Sequence, residues 1–335
     1  MKNLFCFKGS LTSVVPGDFD GDGGMDLLVI ISYTTGKQEA KIIWGYHTDH
    51  THQLMCLDDQ PNQIQKVFNL QSEPLVFDYD YDYVSDLLIV DSEGNRTVFR
   101  LSTNRSTDHE IINLSSDHSD GLKNAHSNSH VDINSDGLPD LILTTQSGLE
   151  IYQRTLESTH FRFHNHIPWP SNVTSKESGC STDKCVGQIA FADFDLSGTL
   201  DLIVPMCYDP ECKNSIMFLI PLDELWKADT WRWEPVSMDL LGGQLNFHPP
   251  NTDKNLLQLM APRVGDVDLD GFPDLLMPLQ NKSSGSNEPV THLLLNAPCG
   301  PYTGCKPFWR QYQVEPEFMR GNHFIQCIEI FYVFF

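Results

Sequence analysis

Five segments of the chain space acidic side chains so that their oxygens can converge on one point. Each reads Asp-x-Asp/Asn-x-Asp/Ser, a turn residue, two further residues and a closing Asp, and each runs straight into an apolar stretch. The first holds Asp18, Asp20, Asp22 and Asp26, and the second Asp78, Asp80, Asp82 and Asp86. The third holds Asp132, Asn134, Asp136 and Asp140, the fourth Asp193, Asp195, Ser197 and Asp201, and the fifth Asp266, Asp268, Asp270 and Asp274. Oxygens at positions 1, 3, 5 and 9, with a backbone carbonyl at position 7, meet where the chain curls tightly at position 6. Calcium takes about six to eight hard oxygens at such a radius, and glycine at position 6 supplies the backbone angle. Gly23, Gly137, Gly198 and Gly271 stand there in four copies; the Asp78 copy has Tyr83, so its geometry is expected to be the least regular. Structural Ca2+ is the cofactor this spacing predicts.

The elements that position these acids follow from what flanks them. An EF-hand closes its loop with Glu at position 12 and frames it with helices. Position 12 is instead Val29, Ile89, Leu143, Val204 and Met277, inside runs that suit a core strand. Stacked nonapeptide repeats fail as well, because the copies recur every 54 to 73 residues. Apolar residues also precede the loops, as in Leu75-Val76-Phe77 and Ile189-Ala190-Phe191, so each copy reads as strand, tight loop, strand. A repeat of that size built from short strands matches a four-stranded propeller blade. The fold class predicted is all-β, a β-propeller with about five blades.

The bulk properties narrow the function. The 335 residues carry a formal charge of −23, which repels phosphate backbones and anionic membranes, so nucleic acid is excluded as a partner. Cys180 and Cys185, Cys207 and Cys212, and Cys299 and Cys305 form short-range pairs suited to disulfides; the first four would also fit a zinc site. Five glycosylation sequons, at Asn95, Asn104, Asn113, Asn172 and Asn281, fit a luminal or extracellular surface. Two histidine groups, His47/His50/His52 and His160/His164/His166, have residue types that bind zinc but no fixed spacing. Trp231 and Trp233 read as blade core, and Trp169, between prolines, as loop. No nucleophile elbow, phosphate-binding loop or H-E-x-x-H motif is present, so the chain is expected not to be an enzyme. The start lacks the apolar core of a signal peptide and no window spans a bilayer, which is the pattern of a fragment.

The calcium hairpin within a blade-sized period resembles the FG-GAP repeats of integrin alpha-chain propellers. Leu11-Thr12-Ser13-Val14-Val15-Pro16-Gly17-Asp18-Phe19-Asp20-Gly21-Asp22 and Val186-Gly187-Gln188-Ile189-Ala190-Phe191-Ala192-Asp193-Phe194-Asp195 are more specific. So are Gly265-Asp266-Val267-Asp268 and Ser284-Gly285-Ser286-Asn287. With them the chain resembles the T-cell immunomodulatory protein family, also called the Linkin family, over about residues 9 to 318. That resemblance implies a type I membrane glycoprotein with an extracellular propeller and one membrane anchor, the anchor lying outside this chain. It also implies that residues 1–320 are part of a seven-bladed ring, with 321–335 a divergent apolar tail. A closed five-bladed ring is the alternative. The expected function is recognition of a cell-surface or extracellular protein, in adhesion or modulation of immune cells. The alternatives are the accessory propeller of a secreted hydrolase, or a propeller lectin.

Overall fold

The second strand of each repeat decides the architecture, because its apolar residues are too continuous to face water on either side. Leu27–Ile31, Leu87–Val90 and Leu202–Val204 show no polar alternation and can only lie between layers. The computed structural model describes residues 5–6, 9–45, 55–56, 64–70, 73–90, 96–105, 108–110, 114, 121–123, 127–155, 158–174, 179–221, 232–240, 243–249, 260–281, 289–299 and 310–314. It is all-β, apart from one four-residue helix, α1 (Thr182–Cys185). A short strand β1 (Phe5–Cys6) pairs in parallel with β5 (Met55–Cys56). The remaining strands form a five-blade β-propeller, each blade an antiparallel four-stranded meander.

Blade 1 is β2 (Ser10–Gly17), β3 (Asp26–Ser32), β4 (Gln38–Ile43) and β6 (Ile64–Asn69). Blade 2 is β7 (Leu75–Phe77), β8 (Asp86–Val90), β9 (Arg96–Arg100) and β10 (Asp108–Glu110). Blade 3 is β11 (Ser129–Val131), β12 (Asp140–Thr144), β13 (Gly148–Thr155) and β14 (Ser158–Pro168). Blade 4 is β15 (Ala190–Ala192), β16 (Asp201–Cys207), β17 (Ser215–Pro221) and β18 (Glu234–Asp239). Blade 5 is β20 (Arg263–Gly265), β21 (Asp274–Asn281), β22 (Val290–Pro298) and β23 (Arg310–Val314), and β19 (Leu245–Phe247) adds to the end of β21. Parallel pairing of β18 with β23 joins blades 4 and 5 at their outer edges. The second strands β8, β12 and β16 are buried at every position, as their sequence required. The 321–335 tail lies outside the described residues. No helix among the described residues is long and apolar enough to cross a membrane.

Adjacent blades are held by a wedge that the acidic pattern conceals. The residue at loop position 2, between the first two acids, is Phe19, Tyr79, Ile133 or Phe194 in the first four hairpins, and all four are buried. Phe19 packs with Val84, Leu87 and Leu101 of blade 2, and Tyr79 with Leu141, Tyr152 and Phe161 of blade 3. Phe194 meets the Tyr312 ring of blade 5 edge-on at 6.3 Å. Each of the first four blades thus pushes an apolar knob from its acidic hairpin toward the next, while Val267 of the fifth is exposed; close-packed burial of such side chains is the main attraction between sheets.

Between blades 2 and 3 the packing also encloses an ion pair. Arg96 on β9 reaches Glu150 on β13, both almost wholly buried, and its Nη1 donates to the Tyr152 hydroxyl at 2.7 Å. Tyr152 in turn donates to Glu150 at 2.8 Å and lies within bonding distance of the Leu114 carbonyl. Removing one partner strands the other charge in a dry interface. Glu150→Ala should therefore cost about 3 to 5 kcal/mol in denaturant unfolding, and the paired Arg96→Met/Glu150→Leu change should cost much less. Equal losses in both variants would show that volume, and not the unpaired charge, dominates.

Candidate metal centres

The closing aspartate of each loop is the first residue of the buried second strand, so it enters the core as a carboxylate and must find donors there. One oxygen accepts the position-2 amide: Phe19 to Asp26 at 2.9 Å, Tyr79 to Asp86 at 2.9 Å, Ile133 to Asp140 at 3.3 Å, Phe194 to Asp201 at 2.9 Å and Val267 to Asp274 at 2.8 Å. The other oxygen accepts an amide from the end of the third strand in four blades. The donors are Gly45 (2.6 Å), Leu101 (2.8 Å), Arg154 (3.0 Å) and Asn296 (2.9 Å). This residue staples loop, second strand and third strand together.

The loop tips repeat one geometry. The position-6 amide donates to the first aspartate at 2.8 to 3.0 Å in all five copies. Position 5 donates to position 3 in four of them, at 2.9 to 3.2 Å. Such nested side-chain turns need left-handed backbone at position 6, and Gly23, Gly137, Gly198 and Gly271 have φ of 77°, 85°, 87° and 91°. A Cβ at Gly23, Gly137 or Gly198 would touch nothing, so glycine serves the angle and not space. The second loop, expected to be the least regular, departs from the others in a bond from the Tyr81 amide to Asp78 at 2.7 Å but keeps the position-6 bond through Tyr83, which adopts φ 67°. Its side chain is 90% exposed, so it meets no obstacle and bears only the intrinsic left-handed cost. Position 4 is left-handed too, at Gly21, Tyr81, Ser135, Leu196 and Leu269. Sequence reasoning missed that, because a single glycine among five copies, beside Tyr, Ser and Leu, carries no visible pattern.

These turns bring together ligand atoms within 4.8 Å of one another at Asp18/Asp20/Asp22, Asp78/Asp80/Asp86, Asp193/Asp195/Asp201 and Asp266/Asp268/Asp274. Asp26, Asp82 and Asp270 stand outside those groupings, and the Asp132 loop forms no such trio of acids. There Asn134 replaces an acid and its amide donates to Asp136 at 3.0 Å. Ser197 bonds Thr199 at 2.9 Å, keeping a hydroxyl at the fourth tip. Three carboxylate oxygens that reach no hydrogen-bond donor belong to these loops: Asp18 Oδ1, Asp80 Oδ1 and Asp201 Oδ1. Asp201 is 0% exposed, and a buried carboxylate oxygen without a donor is costly unless a cation completes it. The all-oxygen donor set and this unmet need fit a hard divalent ion.

Electrostatics give the same message. Burial, with further repulsion from neighbouring acids, lifts Asp86 and Asp201 to about 7 and Asp140 to about 6 against the amide bonds that oppose it. Asp26, Asp80 and Asp274 are raised for the same first reason. Two arginines relieve part of the charge: Arg105 Nε pairs with Asp20 at 2.7 Å, and Arg100 with Asp80 at 3.4 Å.

The other chemical candidates are absorbed by structure. Cys180–Cys185 and Cys207–Cys212 are disulfides, which removes the four-cysteine zinc site. Cys299 is disulfide-bonded as well, while Cys305 lies outside the described residues. His160 bonds the Tyr79 hydroxyl at 3.1 Å and His166 the Ser147 hydroxyl at 3.0 Å. No metal-binding grouping among the described residues contains a histidine, and His47, His50 and His52 lie outside them. Trp169 packs on Trp233 at 5.7 Å as core; Trp231 lies outside the described residues. Asn104, Asn172 and Asn281 are exposed, and Asn95 and Asn113 lie outside.

Fold and hairpins together define a β-propeller whose blades each present an acidic turn between the first and second strands. The chain belongs to the T-cell immunomodulatory protein family. It is 31% identical over 314 residues to the human T-cell immunomodulatory protein, covering 91% of this chain and 46% of that protein. The mouse protein is 29% identical, over 93% of this chain and 48% of its own length. Protein linkin of Caenorhabditis elegans is 25% identical, over 84% and 44%. The chain thus spans about half the length of the curated relatives it matches. No protein-family model matches it. Among solved structures, the Vibrio cholerae biofilm matrix protein Bap1 aligns with a TM-score of 0.34 and 13% identity, over 66% of this chain and 41% of that one.

Two outcomes follow from the loop geometry. Tyr83→Gly should raise stability by about 1 kcal/mol in denaturant unfolding, since only the left-handed cost is removed; a loss would mean that the exposed ring has a folding role. A carboxyl that titrates near 7 when folded and 3.8 when unfolded binds its proton better in the native state. It adds stability at low pH that is lost as pH rises through that window. His130, lowered to about 4 chiefly by burial, acts oppositely but alone against three acids. In chelator the melting temperature should therefore climb as pH falls from about 7 to about 5, with a weaker slope in Asp201→Asn. A flat profile in the parent chain would contradict the burial assigned to these acids.

Proposed function

We propose that this chain is a calcium-binding propeller ectodomain segment of an extracellular or luminal glycoprotein that recognises another cell-surface or extracellular protein. The observation that carries the calcium reading is the Asp193/Asp195/Asp201 grouping with its buried, donorless Asp201 oxygen. The disulfides, exposed sequons and the family's name support the compartment and a role in adhesion or modulation of immune cells. We take the role to be binding and not catalysis: the clustered acids are committed to turn geometry, and the buried Arg96 and Arg154 to bonds between blades. Calcium is structural here. It neutralises up to four acids per hairpin and so offsets the burial and, after it, the mutual repulsion that lift their pKa values. The surface offered to a partner comprises the loops and ring face opposite the hairpins.

Thermal unfolding tests the ion. At a tenfold excess over its dissociation constant, calcium should add about 1.4 kcal/mol per occupied site, so the melting temperature rises with calcium and falls with chelator. Asp268→Ala should shrink that response by one site's share. An identical melt in calcium and chelator would remove the claim, whatever the partner proves to be.

A further inference from the structure

The five hairpins are not equivalent in charge. At the first, a cation is already supplied by the protein. Arg105 sits at the corner of a tight turn, with φ 59° and its amide bonded to the Ser102 carbonyl at 2.8 Å. From there its guanidinium lies over the Trp44 ring of blade 1, 4.8 Å from the centroid, and its Nε donates to Asp20 at 2.7 Å. Asp20 is 3% exposed, so this is a charge pair at the edge of the core, unlike an open surface contact. Blade 2 clasps the same loop twice more: the Ser85 amide donates to the Asp18 carbonyl at 2.9 Å, and Gly21 lies against Val84 and Thr103.

At the fourth hairpin the equivalent clasp is neutral. Blade 5 reaches it with the amide of Asn296, whose Nδ2 donates to the Phe194 carbonyl at 2.9 Å. Among the described residues no lysine or arginine pairs with Asp193, Asp195, Asp266 or Asp268. Asp18 of the first hairpin and Asp201 of the fourth each leave an oxygen without a donor, and of the two residues Asp201 is the fully buried one.

We propose that Arg105 is the resident counter-ion of the first hairpin, occupying the electrostatic place of a divalent ion there, so that calcium loads the fourth and fifth hairpins first and the first hairpin last. Arg105 has this role only if the hairpins hold divalent ions, as proposed above. A guanidinium bonded to one ligand carboxylate both withdraws that oxygen and repels an incoming cation. The same pair keeps the contact between blades 1 and 2 closed when calcium is scarce, while the contact between blades 4 and 5 depends on the ion.

Calcium titration by calorimetry, on the whole chain, separates the possibilities. In Arg105→Gln one weak site should tighten roughly tenfold, the order expected when a like charge leaves a half-solvated position. The same variant should melt lower than the parent in chelator and recover in saturating calcium. Arg105→Lys should behave as the parent does. Asp195→Asn, which leaves the first hairpin untouched, should abolish a member of the tightest class. Unchanged affinities in Arg105→Gln, or a tightest class that survives Asp195→Asn, would overturn the proposal while leaving calcium binding intact. No calcium bound by the parent chain would overturn both.

Discussion

A carboxylate placed where the chain turns into the core governs this fold. Asp26, Asp86, Asp140, Asp201 and Asp274 each begin a core strand and are themselves buried, and none can remain there without donors. The backbone supplies them: the amide two residues into the loop and, in four blades, the amide that ends the third strand. One side chain thereby fixes the width of the hairpin and the register of its neighbour. The same amide belongs to the residue that wedges against the next blade, so blade geometry and blade stacking share a single anchor.

That anchor creates an electrostatic problem which the rest of each loop must resolve. Up to four acids converge where burial already favours the neutral form, as the upward shifts at Asp86, Asp140 and Asp201 record. Loop amides satisfy many of the oxygens but add no net positive charge. A guanidinium at Asp20, an asparagine in place of an acid at Asn134 and a hydroxyl at Ser197 are three different ways of lowering the charge. The fourth loop retains three acids and the fifth four, three of each within ligand distance of one another, and a cation there would offset that charge.

Much of this was legible from residue spacing. The five acidic turns, the strands beside them and the blade-sized period follow from side-chain type and offset alone, because a calcium-type turn demands fixed offsets and a core strand demands apolar continuity. What stayed hidden depends on long-range packing. Arg105 and Asp20 are far apart in sequence, and nothing near either names the other. Tyr83 read as a defect because glycine is the easy solution at a left-handed position. An exposed tip lets tyrosine adopt the same angle at modest cost. The wedge residues had a faint signal: Phe19, Tyr79 and Phe194 place a large ring between two acids, where a solvated loop has no use for one.

Position 2 connects the chemistry of the loop to the assembly of the ring. In the first, second and fourth hairpins its side chain is the knob in the next blade, its amide holds the buried carboxylate, and its two sequence neighbours are acids of the cluster. An ion drawn to those acids would stiffen the backbone on which the knob is mounted, while mutual repulsion would loosen it. The contact between blades therefore carries the electrostatic state of the hairpin, and any surface spanning two blades inherits it. Where the next blade supplies an arginine, as at Asp20 or at the Tyr79 carbonyl, the hairpin meets a cationic group of the protein; where it supplies Asn296, it meets a neutral one. The choice of side chain on the third strand of one blade, or in the turn just after it, thus sets the charge that the previous hairpin faces.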